Sequence, residues 1–443
     1  MPKIFNNLLS FKGGVHPKEY KYLTSSLPFE RIPTPSKIIL PLSQNIGAPS
    51  TPIVNKKDEV FAGQLIATQN GPISAPIYSP VSGNVLSIGI EDTVSSFAKE
   101  SITIKSNENS EMELFPKLDL INISDKEICK RVQMAGIVGL GGAAFPTYFK
   151  LTPPKDKIID YVILNGCECE PYLTRDYRLM IERPKDLIAG LKLIMKALNL
   201  EKGAIGIEDN KQDAIDILQN LVKDDNSIKI FSLKTKYPQG AEKMLIKAIL
   251  NREVPPGKLP FDVGVAIQNI GTAIAIYEAV YLGMPLISAS LTVSGLGIKT
   301  PKNLIVPIGT PLIDILEYCG GIKEDAKRVV VGGPMMGITQ HNLNAPIMKA
   351  TSGILVLTEK EINQFDETNC LRCGKCIEVC PVNLTPTKLA RFSQLGRISE
   401  AEENGILNCM ECGTCAYVCP ANIPLVQWIA FGKKKLSLAK KAV

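Results

Sequence analysis

The run Cys370-Leu-Arg-Cys373-Gly-Lys-Cys376-Ile-Glu-Val-Cys380-Pro381 and its echo Cys409-Met-Glu-Cys412-Gly-Thr-Cys415-Ala-Tyr-Val-Cys419-Pro420 decide how the rest of the chain is read. They hold eight of its twelve cysteines. In each, the thiols are spaced by two, two and three residues and closed by proline, a spacing that binds [4Fe–4S] clusters. Three thiolates on one tight loop hold three corners of a cubane. The fourth, beginning a helix, points away and completes the other cluster. One cluster is therefore assigned to Cys370, Cys373, Cys376 and Cys419, and the second to Cys409, Cys412, Cys415 and Cys380. Structural zinc takes two separated Cys-x-x-Cys pairs around one tetrahedral ion, a poor match to two complete four-cysteine runs.

The connector 381–408 reads as two short helices, at 387–394 and 398–404, so the C-terminal part is a helical ferredoxin type. Such clusters pass one electron at a time and do no organic chemistry. The chain is thus either a wire or a wire joined to a two-electron centre, and the remaining residues have to decide.

At 443 residues the chain has room for about three domains. Its 45% hydrophobic and 21% charged content is globular, and a net charge of +6 is too dilute to imply nucleic acid. With only His16 and His341, a three-histidine metal centre or a histidine proton relay is excluded. The first ten residues lack the apolar stretch and cleavage site of a secretory signal. The uncharged stretch 279–298 is nominally long enough to cross a bilayer. Gly283, Pro285, Gly295 and Gly297 interrupt it, so it reads as buried α/β core. Clustered thiols suit a reducing cytoplasm, where they hold metal and do not pair as disulfides. The lysines at 433–435 and 440–441 offer a contact for anionic lipid or an acidic partner, but the run is short and without strong amphipathic support, so it reads as a solvated tail.

From Lys37 to about Ser106, short strands broken by Gly and Pro resemble a lipoyl-type barrel-sandwich; the segment Thr68-Gln-Asn-Gly-Pro-Ile-Ser lacks a lysine to carry a cofactor. Residues 125–280 alternate helical and strand patterns, with helices at 126–135, 184–198 and 211–222 and strands at 161–164 and 203–207. This alternation predicts a mainly parallel sheet covered by helices. The stretch 283–337, with a helix at 312–319, resembles a soluble-ligand-binding β-grasp module. The fold class is multidomain α/β, divided as 1–120 barrel-sandwich, 121–282 α/β, 283–350 β-grasp and 351–443 ferredoxin.

Two segments of the α/β part point to a nucleotide. In Gly139-Leu-Gly141-Gly142-Ala-Ala-Phe145-Pro-Thr-Tyr-Phe-Lys150, small residues let backbone amides approach a phosphate, and the lysine can neutralise it. A tight turn in a close-packed crossover is the competing reading, and neither a dinucleotide fingerprint nor a Walker loop is present. Directly after strand 161–164 comes Asn165-Gly-Cys167-Glu168-Cys169-Glu170-Pro171, where open α/β sheets bind ligands. Its carboxylates suit the hydroxyls or amide of a nucleotide, and Asn165 suits a ring edge; an acidic surface turn is the alternative. Cys167 and Cys169 read as thiols near the site, Cys129 and Cys319 as core.

Together with Gly13-Gly-Val-His-Pro and Pro255-Pro-Gly-Lys-Leu-Pro, these segments resemble, over nearly the whole chain, the C subunit of the Rnf (Rsx) electron-transport complex. The central part is similar to the flavin subunit of respiratory complex I, which binds FMN and oxidises NADH. The resemblance carries that family's glycine loop onto Gly139, Gly141, Gly142, Phe145 and Lys150, and its asparagine and acidic pair onto Asn165, Glu168 and Glu170. Its tyrosine–glycine–glutamate element falls on Tyr237, Gly240 and Glu242, and its Asn…Thr element on Asn269 and Thr272. Cys167 replaces an aspartate of that family, Ala241 replaces a glutamate, and the paired clusters replace a single one.

What the resemblance implies is a peripheral, cytoplasmic-side subunit of a membrane complex coupling ferredoxin and NAD to ion pumping. It would carry non-covalent FMN and two [4Fe–4S] clusters, take NAD(H) as substrate, and touch the membrane only through partner subunits, a ferredoxin-like one among them. Phe145 and Glu170 would shape the nicotinamide pocket. Two rivals are the cobalamin reductase of propanediol utilisation and a wiring subunit whose flavin fold is vestigial.

Overall fold

The computed structural model describes residues 9–95, 98–107, 111–154, 156–362 and 365–441. The first eight residues, most of the segment read for a secretory signal, lie outside the described residues.

The chain opens with an extended strap. Leu9 bridges Leu233, Val15 bridges Tyr237, and strand β1 (Phe29–Arg31) follows. Next come β2 (Lys37–Pro41), β3 (Thr51–Pro52), β4 (Glu59–Val60), β5 (Leu65–Thr68), β6 (Ile77–Tyr78), β7 (Gly83–Glu91) and β8 (Lys99–Ser106). They form two antiparallel layers, β2-β8-β7-β4 and β3-β5-β6. Inward Ile38, Leu40, Ile66, Ile77, Ile102 and Ile104 fill the space between them.

The α/β domain starts at α1 (Asp125–Met134), fixed by a capping box in which Ser124 and Glu127 each bond the other's backbone amide. It continues through α2 (Thr147–Leu151), β9 (Tyr161–Gly166), α3 (Arg175–Glu182), α4 (Pro184–Ala197), β10 (Gly203–Glu208) and α5 (Gln212–Leu221). Then follow β11 (Ile228–Leu233), α6 (Glu242–Leu250), β12 (Val265–Asn269) and α7 (Ile270–Tyr277). Its sheet is wholly parallel in the order β11-β10-β9-β12. With helices on both faces, β10 is buried at every residue. Successive strands run from β9 to one side and β12 returns to the other, so the order reverses beside β9. In such sheets the loops part there and leave a crevice at the carboxyl ends. Helix α4 lies against α7, and a Cβ on Gly190 would come within 2.0 Å of the Ala273 carbonyl.

Strands β13 (Ser288–Ser294) and β14 (Lys302–Pro307), helix α8 (Leu312–Tyr318), and β15 (Ala326–Val331), β16 (Ile338–Gln340) and β17 (Gly353–Thr358) build the β-grasp module. Its sheet runs β1-β14-β13-β17-β15-β16. Two features depart from the division drawn from sequence. Strand β17 lies past the expected boundary at 350 yet sits between β13 and β15, and the edge strand β1 comes from the N-terminal strap. The stretch 279–298 becomes a helical turn and buried β13, and among the described residues no helix is long and apolar enough to cross a membrane.

The C-terminal domain holds α9 (Lys375–Glu378), α10 (Pro386–Gln394), α11 (Ile398–Glu403), α12 (Thr414–Tyr417) and α13 (Leu425–Lys441). The lysines read as a solvated tail lie on a packed helix, with Lys434, Lys435 and Lys440 on its exposed face. Leu425, Ile429 and Leu436 are buried along one stripe of α13, which packs on α10 so closely that a Cβ on Gly432 would lie 2.2 Å from the Ser393 hydroxyl. Lys433 donates to the Cys409 carbonyl at 2.9 Å and pairs with Glu411, while Lys440 reaches Glu402 at 2.6 Å. The apolar stripe overrides the charge on the helix's outer face.

Candidate functional site

The crevice beside β9 is built from strand ends. Asn165, on the last turn of β9, donates to the Gly240 carbonyl at 2.7 Å and accepts from the Cys167 amide at 3.2 Å. Asn269 closes β12 and caps α7 through the Gly271 amide at 2.9 Å. Its amide nitrogen reaches Asp176 at 2.7 Å, and its oxygen accepts from Arg175 at 3.1 Å. Arg175 also donates to the Leu140 carbonyl at 2.7 Å, and the Leu140 amide donates to Thr272 at 2.9 Å. The glycine loop is thereby stitched to the end of β12. A Cβ on Gly141 would stand 3.3 Å from that of Asn269, whereas Gly142, at a φ of +124°, faces open space. Gly139 and Phe145 close the loop by a backbone bond of 2.8 Å, and the Phe145 ring meets Phe149 edge-on at 5.7 Å.

The charged residues that the sequence places here are mostly engaged with the protein itself. Lys150 pairs with Glu242 at 2.7 Å and donates to the Ile267 carbonyl at 3.2 Å. The Glu168 carboxylate accepts the Asp176 and Tyr177 amides at 2.6 and 3.2 Å, at the start of α3. The Glu170 carboxylate accepts the Met335 and Met336 amides, each at 3.0 Å. Burial pushes both acids up to about 7. Cys167, in the aspartate's place, is a core thiol that burial pushes far up. Cys169 accepts the Gly240 amide at 3.4 Å. Cys319 is core, and Cys129 lies half-buried at the edge of the same core cluster.

Sequence reading missed two lysines that fix this acidic turn from beneath. Lys21 donates to the carbonyls of Glu168, Glu170 and Leu173 at 2.8, 3.0 and 2.6 Å. Lys211 donates to the Cys167 carbonyl at 2.7 Å and to Glu208 at 3.2 Å. Nothing local marks Lys21, which lies far away in sequence. Also missed were Gln239 and Gln268, neighbours of Gly240 and Asn269, whose buried side-chain amides find no partner among the described residues; the Thr147 hydroxyl, at the start of α2, is a third such group. An unpaired buried amide costs about 1–3 kcal/mol. Orphaned donors and acceptors beside a glycine loop are the complement of a polar, multiply bonding cofactor, and this donor set fits FMN.

The cysteine runs fold alike. Arg372 and Glu411, then Gly374 and Gly413, take matching left-handed conformations. In each loop the residue at that first turn donates its amide to the first sulfur, Cys370 or Cys409, at 3.4 Å. Cys380, Cys409, Cys412 and Cys415 line one small cavity, its other walls mainly apolar, including Leu384, Val426 and Ile429. Among the described residues no three side chains converge on a point that one metal ion would occupy; these four thiols surround a volume, as the corners of a cubane require. Cys376 lies near enough to Cys419 and Cys373 to feel their charge, and Cys370 and Cys373 are exposed.

The crevice and the cavity meet. The buried Tyr237 hydroxyl donates to the Cys412 carbonyl at 2.8 Å. Val15 and Tyr237 exchange backbone bonds of 2.8 Å, and the Gly14 amide donates to the Val379 carbonyl at 2.8 Å, so the N-terminal strap ties α/β and ferredoxin domains together.

Known families match the same parts of the chain. Family profiles match a Nuo51 FMN-binding domain at 132–278, an RnfC barrel sandwich hybrid domain at 9–109, an SLBB domain at 290–339 and a 4Fe-4S dicluster domain at 362–420. The chain is 48% identical over 399 residues to the C subunit of the proton-translocating ferredoxin:NAD(+) oxidoreductase complex of Clostridium ljungdahlii, covering 89% of this chain and 87% of that one. It is 44% identical over 400 residues to the Na(+)-translocating counterpart of Acetobacterium woodii, covering 90% of each. With the C subunit of the ion-translocating oxidoreductase complex of Rhodobacter capsulatus it shares 44% over 440 residues, 98% of this chain and 85% of that one.

Proposed function

The chain belongs to the family of C subunits of ion-translocating ferredoxin:NAD(+) oxidoreductase (Rnf) complexes, and from that premise we propose that it is the subunit at which such a complex meets NAD(H). The observation that carries this reading is the Tyr237–Cys412 bond, which joins a flavin-type crevice to a four-thiol cavity. When bound, FMN exchanges hydride with the nicotinamide and the clusters exchange electrons singly.

The chain's own groups supply placement. The amides of Gly141 and Gly142, in the loop that Gly139 closes onto Phe145, hold the phosphate with Lys150, and Glu242 fixes the lysine. Gln239 and Gln268 offer their unpaired amides to the ring edge, Asn165 and Asn269 frame the crevice, and Thr272 braces the loop from behind. Phe145 and Glu170 shape the nicotinamide pocket. No side chain need act as general acid or base, in keeping with two histidines in the whole chain. One cluster rests on Cys409, Cys412, Cys415 and Cys380, the other on Cys370, Cys373, Cys376 and Cys419. The protein is part of a membrane-associated complex, peripheral and on the cytoplasmic side, held through its partner subunits, including a ferredoxin-like one.

Anaerobic purification followed by flavin extraction and iron counting tests this. One FMN and eight iron atoms per chain are expected, with NADH bleaching the flavin. Eight irons without flavin would leave a wiring role alone; cobalamin reduction by the isolated chain, with no membrane partners copurifying, would favour the cobalamin reductase.

A further inference from the structure

The β15–β16 turn, Gly332-Gly333-Pro334-Met335-Met336-Gly337, belongs to the β-grasp module but reaches into the crevice. Its two successive amides take one Glu170 oxygen each, at 3.0 Å. The turn is closed on itself by the Gly337 amide, which donates to the Gly333 carbonyl at 2.9 Å. A Cβ on Gly333 would lie 2.2 Å from a Glu170 oxygen and 2.4 Å from its carboxyl carbon, so only glycine there admits the acid. At its other end Glu170 is pinned by Lys21, which donates to its carbonyl at 3.0 Å. Behind the clasp, Met335 packs with Val15, Tyr237 and Cys412.

Two amide donors favour the ionised carboxylate and fix its rotamer. Each oxygen accepts one bond from the turn and keeps capacity for another. The acid is thus held in one orientation for hydroxyl or carboxamide donors of a nucleotide, the two amides opposing the burial that raises it. We propose that this turn is a carboxylate clasp and that Gly333, with the Met335 and Met336 amides, positions Glu170 for the nicotinamide nucleotide. The proposal rests on the reading above that NAD(H) binds beside Glu170.

The test uses the full-length holoprotein and the substitution Gly333→Ala, alone and in a Glu170→Gln background. Calorimetric titration with NAD+ and steady-state NADH oxidation are read together with flavin and iron content. In the otherwise native chain, Gly333→Ala should raise the Kd for NAD+ and the KM for NADH about tenfold, with kcat, flavin and iron little changed. The acid limb of the kcat/KM profile should move to higher pH, because the carboxylate loses the amides that favour its ionised form. In the Glu170→Gln background the same change should add less than about twofold, since residues acting through one another are not additive. Glu170→Asp, which cannot span both amides, should reproduce the affinity loss without touching the turn and serves if Gly333→Ala fails to fold. Equal losses in both backgrounds, or no loss with either Gly333→Ala or Glu170→Asp, would overturn the clasp while leaving the function intact. A native holoprotein that binds no NAD+ would overturn both.

Discussion

Lys349 stands at the seam of three domains, and its replacement by methionine should change the way stability depends on pH. The residue is 2% exposed and lies between β16 and β17. Its amine donates to the carbonyls of Pro76, in the barrel-sandwich, and Gly136, before the glycine loop, each at 2.8 Å. Its backbone amide donates to Gln44 at 3.1 Å. Burial pulls the amine down to about 7, and a neutral amine has two N–H groups, one for each carbonyl. The folded chain therefore releases near pH 7 a proton that the unfolded chain keeps until its ordinary value of 10.5. Between those values the unfolded state binds more protons, so stability rises with pH, by up to about 1.4 kcal/mol per unit and by about 2 kcal/mol from pH 7 to 9. Lys349→Met keeps the length of the side chain and removes both donors. Leaving two buried carbonyls unpaired costs about 1–3 kcal/mol each, offset at neutral pH by escape from burying a half-charged amine. Denaturant unfolding of native and variant holoprotein at pH 7, 8 and 9, without oxygen, lets shared terms cancel. The native chain should gain on the variant as pH rises. Parallel curves, or a gap that narrows toward pH 9, would refute a buried amine that sheds its proton.

Cys419→Ser should halve the iron content and abolish the cluster of Cys370, Cys373 and Cys376; paramagnetic resonance that instead loses the cluster of Cys409, Cys412 and Cys415 would refute the crossed assignment. Gln268→Leu should leave the flavin-free chain as stable or about 1 kcal/mol more so, since an orphaned amide is removed, and weaken FMN roughly tenfold to a hundredfold in a calorimetric titration; unchanged affinity would place Gln268 outside the flavin site. Tyr237→Phe removes one hydrogen bond to Cys412, worth about 1 kcal/mol, and should loosen the ferredoxin domain, seen as faster amide exchange around residue 412 at unchanged flavin content.

What the sequence made legible was local. The run Tyr161-Val-Ile-Leu forms a strand because four apolar residues meet an Asn-Gly end, and the two cysteine loops announce themselves because coordination imposes the same spacing twice. Helix α13 was obscured by its lysines, although Leu425, Ile429 and Leu436 recur at helical intervals and carry the buried stripe. Strand β17 could be placed only by its partners, since a short apolar run says nothing of which sheet receives it. The acidic pair was located but not its state: Glu168 and Glu170 are held by amides from α3 and from a turn 165 residues away. Lys21, Lys211 and Lys349 were invisible for a plain reason, that lysine is almost always a surface residue and pattern alone cannot say which one is buried.

The division of labour between backbone and side chains follows from the chemistry. A two-electron site and a one-electron carrier must keep a fixed spacing, and, beside the Tyr237 hydroxyl bond, main-chain contacts set it: Gly14 to Val379 and Val15 to Tyr237. Bonds of that kind are indifferent to most substitutions, so the spacing depends instead on the absence of side chains where backbones touch. A Cβ on Gly13 would stand 3.0 Å from the Val379 carbonyl, and one on Gly413 would stand 2.9 Å from the Met335 carbonyl. Both glycines also have φ near +80°, so any other residue adds strain to the clash. Alanine at either position should separate the domains without disturbing the thiols or the flavin crevice. Flavin that NADH still bleaches, feeding clusters that now reduce slowly, would be the signature. Clusters that reduce at the native rate in both variants would mean that the strap and the clasp do not set the spacing.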